Sequence, residues 1–181
     1  FVNKFFHNIA PVAVLKEHLT TDGMEINLFG NNEKILLGKT VAIQDVDAYG
    51  KRDYGKPFRD PRAGMLPPKL AQIMINLACG KSESAKTIYD PFCGTGTILM
   101  EALLTGKNAI GSDSEARMVS GSQQNLDWLR KNFPMATQHT SVVFQKDVLE
   151  LTSADFTTLP SVIVTEPYLG PPLEKFPGEE K

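Results

Sequence analysis

The period of the apolar positions changes several times along the chain, and each change marks an expected element. Residues 1–23 mix apolar and polar side chains without a clean period, and Val12-Ala13-Val14-Leu15 fits either a strand or a helical turn. Met24–Gly30 alternates and reads as a strand. Lys34–Ile43 reads as a second strand with a bend at Gly38. Asn31-Asn32 between them suits a turn, because asparagine tolerates positive φ, so the pair predicts a hairpin. Further on the period lengthens. Leu70, Ile73, Met74 and Leu77 recur at helical spacing, with Pro68 fit for the first turn, and the stripe reads as core-facing. Short apolar runs then alternate with helical stretches: Thr87–Asp90, Asn108–Asp113, Ser141–Asp147 and Ser161–Val164, with helices after Thr97 and over roughly 115–132. That alternation predicts an α/β fold with a parallel sheet.

Composition narrows the class. A chain of 181 residues with 41% hydrophobic and 22% charged residues can bury a core and has an ordinary globular make-up. The formal net charge of -2 carries no global basic signature, so nucleic-acid binding would need a local patch. Cys79 and Cys93 sit in apolar stretches and read as reduced core residues, which suits a cytoplasmic protein; no disulfide framework or metal set is expected from them. His7 and His18 have no partner at metal-ligand spacing. No apolar run approaches the ~20 residues that cross a bilayer.

The candidate chemistry centres on Thr87-Ile88-Tyr89-Asp90-Pro91-Phe92-Cys93-Gly94-Thr95-Gly96-Thr97-Ile98-Leu99. A short apolar run turns through Gly-x-Gly and opens a helix, the unit of a nucleotide-binding sheet. Gly94 and Gly96 let the chain turn tightly and let a ligand approach the backbone. The helix start favours a negative group. A third glycine is absent, which argues against NAD or FAD, and no Gly-Lys-Ser/Thr follows, which excludes a P-loop. Asp113 lies 23 residues after Asp90, where an acid can accept hydrogen bonds from ribose hydroxyls. An N-cap role for the next helix, from Asp113 or Ser114, is compatible with this.

The string Asp90–Ile98 resembles motif I of class I S-adenosylmethionine-dependent methyltransferases, most closely the branch that methylates exocyclic amines of bases. The resemblance implies a Rossmann-like methyltransferase sheet. It implies that the loop Phe92, Gly94, Thr95, Gly96, Thr97 wraps the methionine part of the cofactor while Asp90 faces its amino group. It also places Arg62, in the segment Arg62-Ala63-Gly64-Met65-Leu66-Pro67-Pro68, beside the cofactor, and Asp147 at its adenine amine. A solvated strand-end aspartate remains open for Asp147. Thr165-Glu166-Pro167-Tyr168 stands where the family carries Asp/Asn-Pro-Pro-Tyr/Phe: the proline and tyrosine match, the first two positions depart. There the enzyme is expected to hold the amine by accepting its N–H bonds and to stack the base on an aromatic ring. Thr165 with the Glu166 backbone carbonyl, or the Glu166 carboxylate, is the expected acceptor.

The nearest resemblance is to the THUMP-associated tRNA guanosine-10 N2-methyltransferases, implying RNA, foremost tRNA, as substrate. A ribosomal RNA or DNA amino-methyltransferase and a non-catalytic cofactor-binding module are the alternatives. Lys51, Arg52, Lys56, Arg59 and Arg62 alternate with Tyr49, Tyr54 and Phe58, a pattern that can neutralise phosphates and stack on bases. A solvated glycine- and proline-rich loop explains the same residues equally well. The expected organisation is an N-terminal extension with a hairpin over 1–48, a methyltransferase core over 49–168 and a loop-like tail over 169–181. The family sheet has seven strands and four core strands are read here, and the first residue is not Met, so the chain is expected to be part of a larger enzyme.

Overall fold

The computed structural model describes residues 9–30, 33–60, 65–80, 86–168 and 170. The Asn31-Asn32 turn, Arg62 and the tail beyond Gly170 lie outside the described residues. The chain divides into two compact units, Phe1–Tyr54 and Gly55–Lys181. Among the described residues no helix is long and apolar enough to cross a membrane.

In the first unit, α1 (Pro11–Lys16) resolves the Val12–Leu15 ambiguity as helix: Pro11 takes the first helical position, where its missing N–H costs nothing. The hairpin forms as expected but with shorter strands, β1 (Ile26–Gly30) and β2 (Ile35–Lys39), paired antiparallel from Ile26↔Lys39 to Gly30↔Ile35. The stretch read as loop is helical in part. In α2 (Val46–Tyr54), the Asp45 carboxylate accepts the Ala48 N–H at 2.9 Å and satisfies an orphan donor of the first turn. One turn apart on this helix, the Arg52 guanidinium lies 4.3 Å over the Tyr49 ring, and Arg52 is buried.

The second unit is a four-stranded parallel sheet ordered β5-β4-β3-β6: β3 (Thr87–Asp90), β4 (Asn108–Asp113), β5 (Ser141–Gln145) and β6 (Val162–Ile163). Thr87, Ile88, Tyr89 and Asp90 are all buried because β3 has neighbours on both sides. Helix α4 (Thr97–Leu104) is apolar nearly all round and buried from Thr97 to Leu103. Helix α5 (Ala116–Asn132) buries Met118, Ser122, Asn125, Leu126 and Leu129 on one face at spacings of three and four.

Helix α3 (Pro68–Cys79) forms where expected but turns a different face inward. Pro68, Ala71, Ile75 and Cys79 are buried, whereas Leu70, Ile73 and Leu77 are exposed and Met74 packs at the core margin. The stripe read as core is therefore corrected. Helix α3 packs chiefly against α4, and Ala71, Ile75 and Cys79, spaced by four, form the face it buries there. Both cysteines are buried, as expected of core residues.

Candidate functional site

In a parallel sheet of this kind, ligands settle beyond the carboxyl ends of the strands where the strand order reverses. Here β3 has β4 on one side and β6 on the other, so the reversal falls at the ends of β3 and β6. Asp90 closes β3 and Thr165 follows β6, and the Thr165 hydroxyl donates to Asp90 Oδ1 at 2.7 Å. The same oxygen accepts the Phe92 N–H at 3.1 Å. Burial pushes the Asp90 carboxyl up to about 6, and the Thr165 and Phe92 hydrogen bonds pull the other way.

The loop after β3 closes on itself, with Gly96 N–H donating to Cys93 O at 2.7 Å and Cys93 N–H to Ser112 O at 2.9 Å. Gly94 and Gly96 adopt φ of +49° and +79°. A Cβ on Gly96 would stand 2.3 Å from Ser122 Oγ, so close packing against α5 forbids a side chain there as well. Asp113 locks the loop to the end of β4. One carboxylate oxygen accepts the Gly94 N–H at 2.9 Å and the other accepts the Glu115 N–H at 3.0 Å. It thus serves the backbone at the start of α5 and keeps lone pairs for a ligand, since each carboxylate oxygen has two. Ser114 supplies no cap; the N-cap is Glu115, without a side-chain bond.

A cavity of about 670 Å³ opens in front of this loop. Phe92, Gly94, Thr95, Thr97 and Asp113 line one side, and Glu166, Pro167 and Tyr168 another. Met65, Leu66, Leu70, Ile98 and Met118 supply apolar wall. Asp90 and Gly96 are buried outside this lining, and half-buried Thr165 adjoins it through Glu166. Asp147 is not in it either: its carboxylate caps a short 3-10 turn by accepting the Leu149 N–H at 2.9 Å. Among the described residues no group of acids, histidines and cysteines could hold a metal. The volume and mixed lining suit a cofactor-sized ligand with polar ends and an apolar middle.

The strap before α3 is what the sequence pattern did not reveal. Buried Lys56 donates from Nζ to Thr97 Oγ1 at 2.8 Å and reaches Thr95 Oγ1 at 3.5 Å. The amide of buried Asn125 accepts the Phe58 N–H at 2.9 Å and donates to Phe58 O at 2.9 Å and to Thr95 O at 2.8 Å. The Phe58 ring covers Gly121, where a Cβ would stand 2.0 Å from it. Asp60 pairs with Arg117. Within the described part of the basic–aromatic run, Arg52 and Lys56 are buried and Phe58 packs on α5, whereas Lys51 and Arg59 are exposed. Composition could not separate Lys56 from the bases beside it, because its partners lie about 40 residues away on the glycine loop.

Comparison with known proteins agrees with this geometry. Residues 57–171 match the UPF0020 family, the RMKL-like methyltransferase domain. A tRNA (guanine(10)-N2)-dimethyltransferase of Methanothermobacter thermautotrophicus is 40% identical over 96 residues, which cover 52% of this chain and 27% of that protein. A tRNA (guanine(10)-N(2))-methyltransferase of Saccharomyces cerevisiae is 28% identical over 113 residues, 61% of this chain and 25% of that one. The chain therefore spans about a quarter of the length of these curated relatives. An rRNA methyltransferase of Streptomyces viridochromogenes shares the fold at a TM-score of 0.54 and 18% identity, over 71% of this chain and 69% of that one.

Proposed function

We propose that this chain, which belongs to the RMKL-like methyltransferase domain family, forms the S-adenosylmethionine-binding core of an enzyme that methylates the exocyclic N2 amine of guanine in tRNA. The observation that carries the reading is the shared cavity: the glycine loop and the Glu166-Pro167-Tyr168 corner line the same space. The two named tRNA relatives support guanine N2 as the target. The residues present fit the cofactor. The loop offers close backbone approach at Gly94 and hydroxyls at Thr95 and Thr97 for its methionine end. Asp113 offers a carboxylate for ribose hydroxyls, and Ile98, Leu66 and Met118 offer apolar surface for its base.

When bound, the cofactor supplies an electrophilic sulfonium methyl. The protein's task is to position the acceptor amine, whose lone pair is delocalised into the ring. No strong base is needed, because the amine becomes acidic only once it carries the methyl. Thr165 spends its proton on Asp90, so its lone pairs are what it presents to an amine N–H. The Glu166 carbonyl is the second acceptor, and the Tyr168 ring, exposed at the cavity, is a wall on which a flipped base stacks. Asp90 acts through Thr165 by fixing the direction of its hydroxyl. Transfer of labelled methyl from S-adenosylmethionine to unmodified tRNA, ribosomal RNA and DNA tests the proposal. Label in tRNA N2-methylguanine is the expected result; label in rRNA or DNA alone moves the substrate, and cofactor binding without any transfer makes the chain a binding module.

A further inference from the structure

The hydroxyls of Thr95 and Thr97 are accounted for on one side only. Each accepts from the Lys56 ammonium, which has donors and no acceptor. A hydroxyl that accepts from a lysine keeps its own proton for another partner. Neither threonine donates to any group among the described residues, and both line the cavity at the N-terminal end of α4. Lys56 itself is not part of the cavity wall and is only 3% exposed. Behind the loop there is thus a buried ammonium, and the two threonines whose hydroxyls it holds line the cavity beside the first turn of α4.

We infer that Lys56 is a positioning residue that turns the Thr95 and Thr97 hydroxyls into donors for the carboxylate end of the cofactor, so that the loop selects ligands carrying that carboxylate. This rests on the reading of the cavity as an S-adenosylmethionine site. Hydroxyl protons beside free helix N–H groups suit a carboxylate. The strap holding Lys56 is fixed separately by Asn125 and by the Asp60–Arg117 pair, so the ammonium is placed before any ligand arrives.

The test compares ligands that share the nucleoside and differ at this end. S-adenosylmethionine, S-adenosylhomocysteine and 5′-methylthioadenosine, which lacks the amino-acid end, are titrated calorimetrically into the intact protein and its Lys56→Met and Lys56→Arg variants. Lys56→Met should weaken the two amino-acid-bearing ligands by roughly tenfold or more, the scale of a lost charge-assisted hydrogen bond, and leave methylthioadenosine within about twofold. Lys56→Arg, which keeps a cation and its donors, should recover part of the loss. Equal weakening of all three ligands would reduce Lys56 to a structural brace and overturn the inference, as would no weakening of any. If the unaltered protein binds none of the three, the cofactor reading itself fails. Should Lys56→Met not fold, Thr97→Val removes the hydroxyl and keeps the lysine, and the same selective loss is required of it.

Discussion

The two sides of the cavity are built to different standards. On the glycine-loop side nearly every group is held from behind: Asp113 takes the Gly94 N–H, Asn125 takes the Thr95 carbonyl, Lys56 takes both threonine hydroxyls, and Ser122 packs on Gly96. On the other side the Thr165 hydroxyl on Asp90 and the Val164 N–H on the Tyr89 carbonyl anchor the corner, and Glu166, Pro167 and Tyr168 are exposed, Tyr168 to 77%. The difference matches the two roles proposed for these sides. On the proposed reading the loop side takes the same kind of cofactor at every turnover, and preorganising it lowers the ordering cost of each binding event. On the same reading, a base that is flipped out and then released meets an open wall.

This contrast is broken most severely at Gly96. Valine there meets Ser122 and a φ of +79°, so Gly96→Val should abolish cofactor binding and destabilise the fold by about 2 kcal/mol or more, read by calorimetry and thermal melting. Normal binding by this variant would mean that the loop does not cradle the ligand. Asp113→Ala removes the acceptor of two backbone N–H groups and should weaken cofactor binding by about 1–3 kcal/mol. On the open side the effects belong to turnover instead. Tyr168→Ala should impair methyl transfer by about 1–3 kcal/mol, the worth of a base–aromatic stack, with Tyr168→Phe tolerated. Thr165→Ala should lower turnover and leave cofactor affinity near normal. A Thr165→Ala loss confined to affinity would place that residue on the cofactor side and erase the contrast.

Asp90 joins the two sides, and its titration offers a milder test. Its folded value is raised from 3.8 to about 6, so the folded state holds the proton more tightly than the unfolded chain. The stabilisation is full below pH 3.8 and is lost as pH rises through about 6. Asp90→Asn should flatten the fall in melting temperature across that window, and an unchanged slope would assign the pH dependence to another group. The smallest effect is expected at Glu166, whose side chain is exposed: Glu166→Gln should change transfer little. Abolished transfer would make its carboxylate the acceptor and move the catalytic register by one residue.

Much of the fold could be read in advance because it depends on local pattern. Strand β4 runs over Asn108–Asp113 as expected, and β3 and the loop after it were legible from an apolar run meeting Gly-x-Gly. The inner face of α3 was not, since an apolar stripe reports that a helix is amphipathic without saying which face its neighbour covers. The hairpin adds a second lesson: Leu28, Leu36 and Leu37 alternate or cluster like core residues and are exposed in their unit. Apolar content alone does not bury a strand; β3, flanked by two parallel neighbours, is buried with a threonine and an aspartate in it.

The motif-bearing loop, the acids closing β3 and β4 and the family to which they point are all legible in the order of residues, because each is a short pattern whose chemistry is local. Tertiary structure alone decided the rest. It turned Lys56 from one base in a charged run into the support of two hydroxyls on the glycine loop, and it set Thr165 against Asp90 across 75 positions of chain. Hydrogen-bond partners at such separations are chosen by how the strap, the helices and the strand ends pack, and no spacing in the sequence encodes that choice.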